Sequence, residues 1–100
     1  MALAPAKPKL RRPPMWQIVM LNDDFTPMDF VVNVLLGIFN LSLEEAVQRM
    51  MQVHHEGRAI VGTFPKEVAE MKVAETMAVA EAAGHPLRVV MERLSGSDKE

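Results

Sequence analysis

The sequence predicts an α+β domain in the order β-α-α-β-α-β, with a small, mainly antiparallel three-stranded sheet packed against three helices. Three observations carry this. Apolar positions at helical spacing alternate with short segments of strand character. Two helix starts carry capping chemistry, at Thr26-Pro27 and at Ser42-x-x-Glu45. Gly57 and Gly84 stand where the second and third helical patterns stop.

Taken in order, residues 1–15 hold four of the seven prolines and little periodicity, so they read as a disordered or polyproline-like arm. Trp16–Leu21 reads as a strand. Thr26 is placed to cap the first helix, with Pro27 at its first position and Asp29 three residues after the cap. That helix is expected over Pro27–Phe39, where Met28, Val31, Leu35 and Phe39 recur at helical spacing. It is apolar around most of its circumference and should be largely buried. Gly37 inside it costs about 1 kcal/mol relative to alanine. Ser42 and Glu45 form a capping box for a second helix, running to His55 or Glu56 and stopped by Gly57. Arg58–Phe64 reads as the second strand. Pro65 opens a third helix with no Ser, Thr, Asp or Asn before it; Gly84 and Pro86 end it near Ala83. Leu87, Val89 and Met91 alternate with Arg88, Val90 and Glu92, the pattern of a half-buried strand. Residues 95–100 read as a polar tail, leaving one domain over 16–94.

One hundred residues suffice for one modest core. The longest apolar stretch, Val31–Phe39, is interrupted by Asn33 and Gly37 and falls far short of a membrane span. The basic N-terminus leads into prolines rather than an apolar segment, so no signal-peptide pattern is expected. Cysteine is absent, which excludes disulfides and thiolate metal sites. Residues 1–15 carry Lys7, Lys9, Arg11 and Arg12 and no acid, whereas residues 16–100 carry seven bases and thirteen acids. An acidic body argues against nucleic-acid binding, which needs a clustered basic face. The basic arm reads as a solvated tail.

The stretch Asn22-Asp23-Asp24-Phe25-Thr26-Pro27-Met28 is the richest in chemistry. It places carboxylates and an amide beside Met28, at the start of an apolar helix. An anionic rim over an apolar floor suits a ligand with a positive charge close to a hydrophobic side chain. In the second helix Met50, Val53 and His54 share a face, as Met28 and Val31 do in the first. If the two helices form an antiparallel hairpin, these sets line one cavity with His54 near the Asn22–Asp24 rim. Taken alone, Met28, Val31, Met50 and Val53 read equally as ordinary core. His54 and His55 are adjacent and so point apart; a zinc site would need a further ligand from Asp23, Asp24 or His85. No nucleophile elbow, zinc-protease helix motif or glycine-rich phosphate loop is present. A binding module without catalytic activity, cofactor or metal is therefore the leading expectation. A small metal-dependent hydrolase using Asp23, Asp24 and His54 is the alternative. A plain interaction module, like the C-terminal domain of a ribosomal stalk protein, is a third reading. In the third helix Lys66, Glu67, Glu70 and Lys72 read by themselves as a solvated face.

Four motifs together resemble the ClpS adaptors. They are Asn22-Asp23-Asp24-Phe25-Thr26-Pro27-Met28-Asp29-Phe30-Val31, Met50-Met51-Gln52-Val53-His54, Glu67-Val68-Ala69-Glu70-Met71-Lys72 and His85-Pro86-Leu87. The likeness runs from about Met15 to Arg93, with the motifs in the family's order. It implies a cytoplasmic, monomeric adaptor that binds neither nucleic acid nor membrane. Such an adaptor captures N-degron substrates whose first residue is Leu, Phe, Tyr or Trp and delivers them to ClpA, the unfoldase of the ClpAP protease. By position, Asn22, Asp24 and His54 are then expected to hold the substrate's α-amino group and first peptide unit. Thr26, Met28, Val31, Met50, Val53 and Leu87 are expected to form the side-chain pocket. Glu67 and Lys72 are expected on the face that meets the ClpA N-terminal domain, and the N-terminal arm is expected to take part in delivery. Phe25 stands where the family often has Tyr, Met71 where Thr is frequent, and Pro65 where a capping Thr is common. Gly37 occupies a position that is usually polar.

Overall fold

The central strand is β1 (Met15–Leu21), paired antiparallel with β2 (Arg58–Pro65) on one edge and β3 (Arg88–Arg93) on the other. The sheet order in this computed structural model is thus β2-β1-β3, and the sheet is wholly antiparallel. Three helices complete the expected order: α1 (Met28–Gly37), α2 (Leu43–Glu56) and α3 (Lys66–Ala83). The structure describes residues 13–94; the expected tail over 95–100 and residues 1–12 of the expected arm lie outside them.

The core follows from the two periodicities. Ile18 and Met20 alternate on β1 and are fully buried against the helices, together with Leu35 of α1, Ala46 of α2 and Ala69 and Ala80 of α3. On the opposite face Val19 lies between its register partners Ile60 and Val90, both exposed. An Arg58–Glu92 ion pair at 3.1 Å joins the two edge strands across β1. Both partners are solvent-accessible, so its contribution to stability is small. The β1–β2 register shifts between Ile18 and Val19, which pair with Gly62 and Ile60 and leave Val61 as an extra residue. Gly62 leaves room there for the Phe64 ring: a Cβ at Gly62 would lie 2.5 Å from a ring carbon.

The ends of α2 follow local capping chemistry, whereas those of α1 depart from it. Ser42 accepts from the Glu45 N–H at 3.1 Å, while the Glu45 carboxylate accepts from the Ser42 N–H at 3.0 Å. These bonds to Ser42 hold the Glu45 carboxyl below its ordinary value. Gly57 (φ 91°) and Gly84 (φ 79°) close α2 and α3 in the left-handed conformation. The first helix differs from expectation at both ends. Thr26 does not cap it: Pro27 occupies the cap position with extended backbone and accepts from the Val31 N–H at 3.2 Å, without a side-chain cap bond. The Thr26 hydroxyl instead donates to Asp23. At the other end α1 stops at Gly37 rather than Phe39. Asn40 turns left-handed (φ 57°), and the Leu41 N–H reaches back to the Leu35 carbonyl at 3.1 Å. Gly37 therefore ends the helix instead of weakening its interior.

Candidate functional site

The site starts from where β1 runs out. The Asn22 N–H donates to the Gly57 carbonyl at 3.0 Å, which ties the end of β1 to the residue that closes α2. This stitch brings the polar segment after β1 toward the turn of α2 that bears His54. The next residue, Asp23, shapes the segment. Its Oδ1 accepts from the Phe25 and Thr26 N–H groups, each at 2.7 Å, and its Oδ2 accepts the Thr26 hydroxyl at 2.8 Å. A side chain that captures its own downstream amides makes an Asx-type turn. Sequence reasoning left the role of Asp23 open; its work is to build the turn. The turn leaves Asp24 exposed and without a hydrogen-bond or ion-pair partner among the described residues.

Burial raises the Asp23 pKa, but the Phe25 N–H, the Thr26 hydroxyl and N–H and the nearby His85 outweigh it and hold the carboxyl below 3.8. The sign follows from this depression. The turn's stabilisation is complete well above 3.8 and is lost as pH falls from there through the folded value. An NMR titration of the Asp23 carboxyl should therefore give a midpoint below 3.8. A midpoint at or above that value would contradict the turn's hydrogen bonding.

The segment closes an open pocket of about 320 Å³ lined by Leu21, Asn22, Asp23, Asp24, Phe25, Thr26, Pro27, Met28, Val31, Met50, Val53, His54 and Leu87. Every residue that the sequence pointed to for amino-group or side-chain recognition lies on this lining. Val31, Val53 and Leu87 are buried, from α1, α2 and the loop before β3, and Met50 is half-buried. Met28 is 43% exposed, which places it at the mouth rather than the floor. Asn22, Asp24 and His54 are exposed on the polar side. The His54 ring meets His55 edge-on at 5.0 Å. The pocket residues that could have passed for ordinary core thus divide into floor and mouth. The two-helix hairpin brings them together with the rim.

Two residues are placed in ways that the sequence did not suggest. His85 packs edge-on against Phe30 at 4.6 Å and acts electrostatically on Asp23, so it supports the turn from behind. Its position after the Gly84 helix stop was the only local signal. Lys72 is half-buried: its ammonium donates to the Ile38 carbonyl at 2.7 Å and sits 5.4 Å from the centre of the Phe64 ring. It thereby satisfies a carbonyl just past the end of α1. Glu67 is exposed on the first turn of α3. The metal-hydrolase alternative finds no support in this geometry. Both Asp23 oxygens are occupied by the turn, and no three His, Asp or Glu side chains converge among the described residues.

Comparisons with known proteins point to one family. The family model for the ATP-dependent Clp protease adaptor protein ClpS matches residues 11–90. The ClpS adapter of Roseobacter denitrificans is 48% identical over 91 residues, covering 91% of this chain and 80% of the relative. That of Nitrosospira multiformis is 49% identical over 86 residues, covering 86% and 84%. The solved structure of Agrobacterium tumefaciens ClpS2 bound to L-phenylalaninamide superposes with a TM-score of 0.80 at 35% identity. It covers 83% of this chain and 100% of that one.

Proposed function

We propose that this chain, which belongs to the ClpS family of ATP-dependent Clp protease adaptors, captures proteins that begin with a free amino group on Leu, Phe, Tyr or Trp and hands them to the ClpA unfoldase. ClpS proteins are adaptors rather than enzymes. The observation that carries the reading is one pocket with a carboxylate, an amide and an imidazole along one side and an apolar floor. An α-amino group has a pKa of about 7.7–8.0 and is mostly cationic at pH 7. Asp24 accepts from it with charge assistance, and Asn22 and His54 supply further hydrogen bonds to it and to the first peptide unit. Thr26, Met28, Val31, Met50, Val53 and Leu87 surround the side chain, whose burial contributes roughly 1.5–3 kcal/mol. The ligand of the solved relative, L-phenylalaninamide, joins the same two chemistries: a free amino group and an apolar side chain.

Met28 is the gate. A β-branched Ile or Val carries bulk at Cβ, at the depth where a fixed side chain at the mouth obstructs it; Leu and Phe branch further out. Titration with short peptides should show binding for Phe and Leu termini and little for Ile and Val. Met28→Ala should admit Ile and Val. The same affinity for those termini before and after the substitution would remove Met28 from the role.

Delivery uses other surfaces. The surface proposed to meet the ClpA N-terminal domain carries Glu67, exposed on α3, and Lys72 on the same helix. Because the Lys72 ammonium is bonded to Ile38, its part in that face includes holding α3 against the end of α1. The basic N-terminal arm is proposed to act in transfer rather than in peptide binding. Deleting it should leave peptide affinity unchanged and impair ClpAP-dependent degradation of Phe-initiated substrates in the cytoplasm. Undiminished degradation by the truncated chain would exclude a transfer role.

A further inference from the structure

We propose that Phe25 reads the side chain at the second position of the bound N-terminus and favours arginine there. This rests on the binding of a free N-terminus in the pocket. Phe25 lines that pocket, yet its side chain is 78% exposed. An aromatic ring so exposed adds little to the core, and among the described residues it stacks on no other ring and under no cation. It is nevertheless not on a loose tether. The Phe25 N–H is held at 2.7 Å by Asp23 Oδ1, in the turn that also fixes the Thr26 N–H and hydroxyl. A large, unpartnered ring therefore stands preorganised at the mouth of the site.

Its place in the chain says which part of the ligand it meets. Asp24, next to it, is the carboxylate that takes the α-amino group. Neighbouring Cα atoms are about 3.8 Å apart, and an extended ligand advances roughly 3.3–3.6 Å per residue. With the first side chain in the apolar floor, the ligand must leave across the rim, and its second residue comes within reach of the ring. Charge selects the class of side chain. The exposed acids nearest in sequence are Asp24 and Asp29, and no basic residue lies between Leu21 and Gln48. Arginine can lay its stem and guanidinium on a ring face in that anionic setting, which glycine cannot.

Peptides beginning Phe-Arg and Phe-Gly, otherwise identical, should be titrated against the full chain and its Phe25→Ala and Phe25→Tyr variants by fluorescence anisotropy. The expected result is a two- to fivefold preference for Phe-Arg in the parent and in Phe25→Tyr, abolished in Phe25→Ala. Persistence of the preference in Phe25→Ala would assign it to the carboxylates and overturn the proposal. Equal weakening of both peptides in that variant, or no preference in the parent, would overturn it too, while leaving the pocket reading in place. Failure of the parent to bind either peptide would reject the pocket reading itself, and this inference with it.

Discussion

Asp24→Ala should weaken binding of a peptide with a free N-terminal Phe by roughly 10- to 150-fold, the effect of losing about 1.5–3 kcal/mol of hydrogen bonding to a charged group. Asp24 is exposed and unpartnered among the described residues, so folding does not depend on it. The substitution should leave the unfolding free energy within about 0.5 kcal/mol of the parent. Asp24→Asn keeps the shape and an acceptor but removes the charge, and an intermediate loss is expected. Calorimetric titration with one peptide against all three proteins measures this. Parent-like affinity in Asp24→Ala would mean that the amino group is recognised elsewhere on the rim.

Leu35→Ala should destabilise the domain by about 2–5 kcal/mol. Leu35 is fully buried, and it anchors the last turn of α1 to the core. A domain of this size has a total stability of order 5–10 kcal/mol. Near the upper end of that loss, a large part of the population unfolds on mild heating. A shift of about 4–8 °C for each kcal/mol is expected in a melt followed by circular dichroism. The consequence reaches the site, because α1 also carries Met28 and Val31 on the pocket wall. Saturating Phe peptide should recover part of the lost midpoint, since it binds only the folded chain. A melt unchanged by the substitution would show that α1 is not packed as described.

Much of this was legible in the sequence because it is local. The Ser42–Glu45 box, the glycines after α2 and α3 and the alternation from Leu87 to Met91 all act within a few residues. The misread start of α1 shows the limit of local rules. Thr26 satisfies the pattern of an N-cap, but Asp23 lies within reach of the same hydroxyl and of two amides, and the Asx turn takes all three. Two motifs competed for one side chain, and the pattern alone does not rank them. Lys72 illustrates another limit. On α3 it looks like any solvated lysine, and its partner, the Ile38 carbonyl, is 34 residues away in the chain. The extra residue in β2 is likewise a matter of pairing between strands, for which Gly62 before Phe64 was the one trace. The candidate pocket was assembled from spacing and family likeness. What spacing could not supply was the division of its apolar residues into buried floor and exposed mouth, since that depends on how far each projects from two packed helices.

The reading of a free N-terminus is tested most directly by titrating the full chain with two peptides that differ only at the end group, one beginning with Phe and one with acetyl-Phe. Acetylation removes the positive charge and leaves the rim's acceptors without the donor they are arranged for. Binding of the free peptide with loss of at least tenfold on acetylation is the predicted result. Equal affinity for the two would contradict it, because Asp24, Asn22 and His54 would then not be reading the amino group at all.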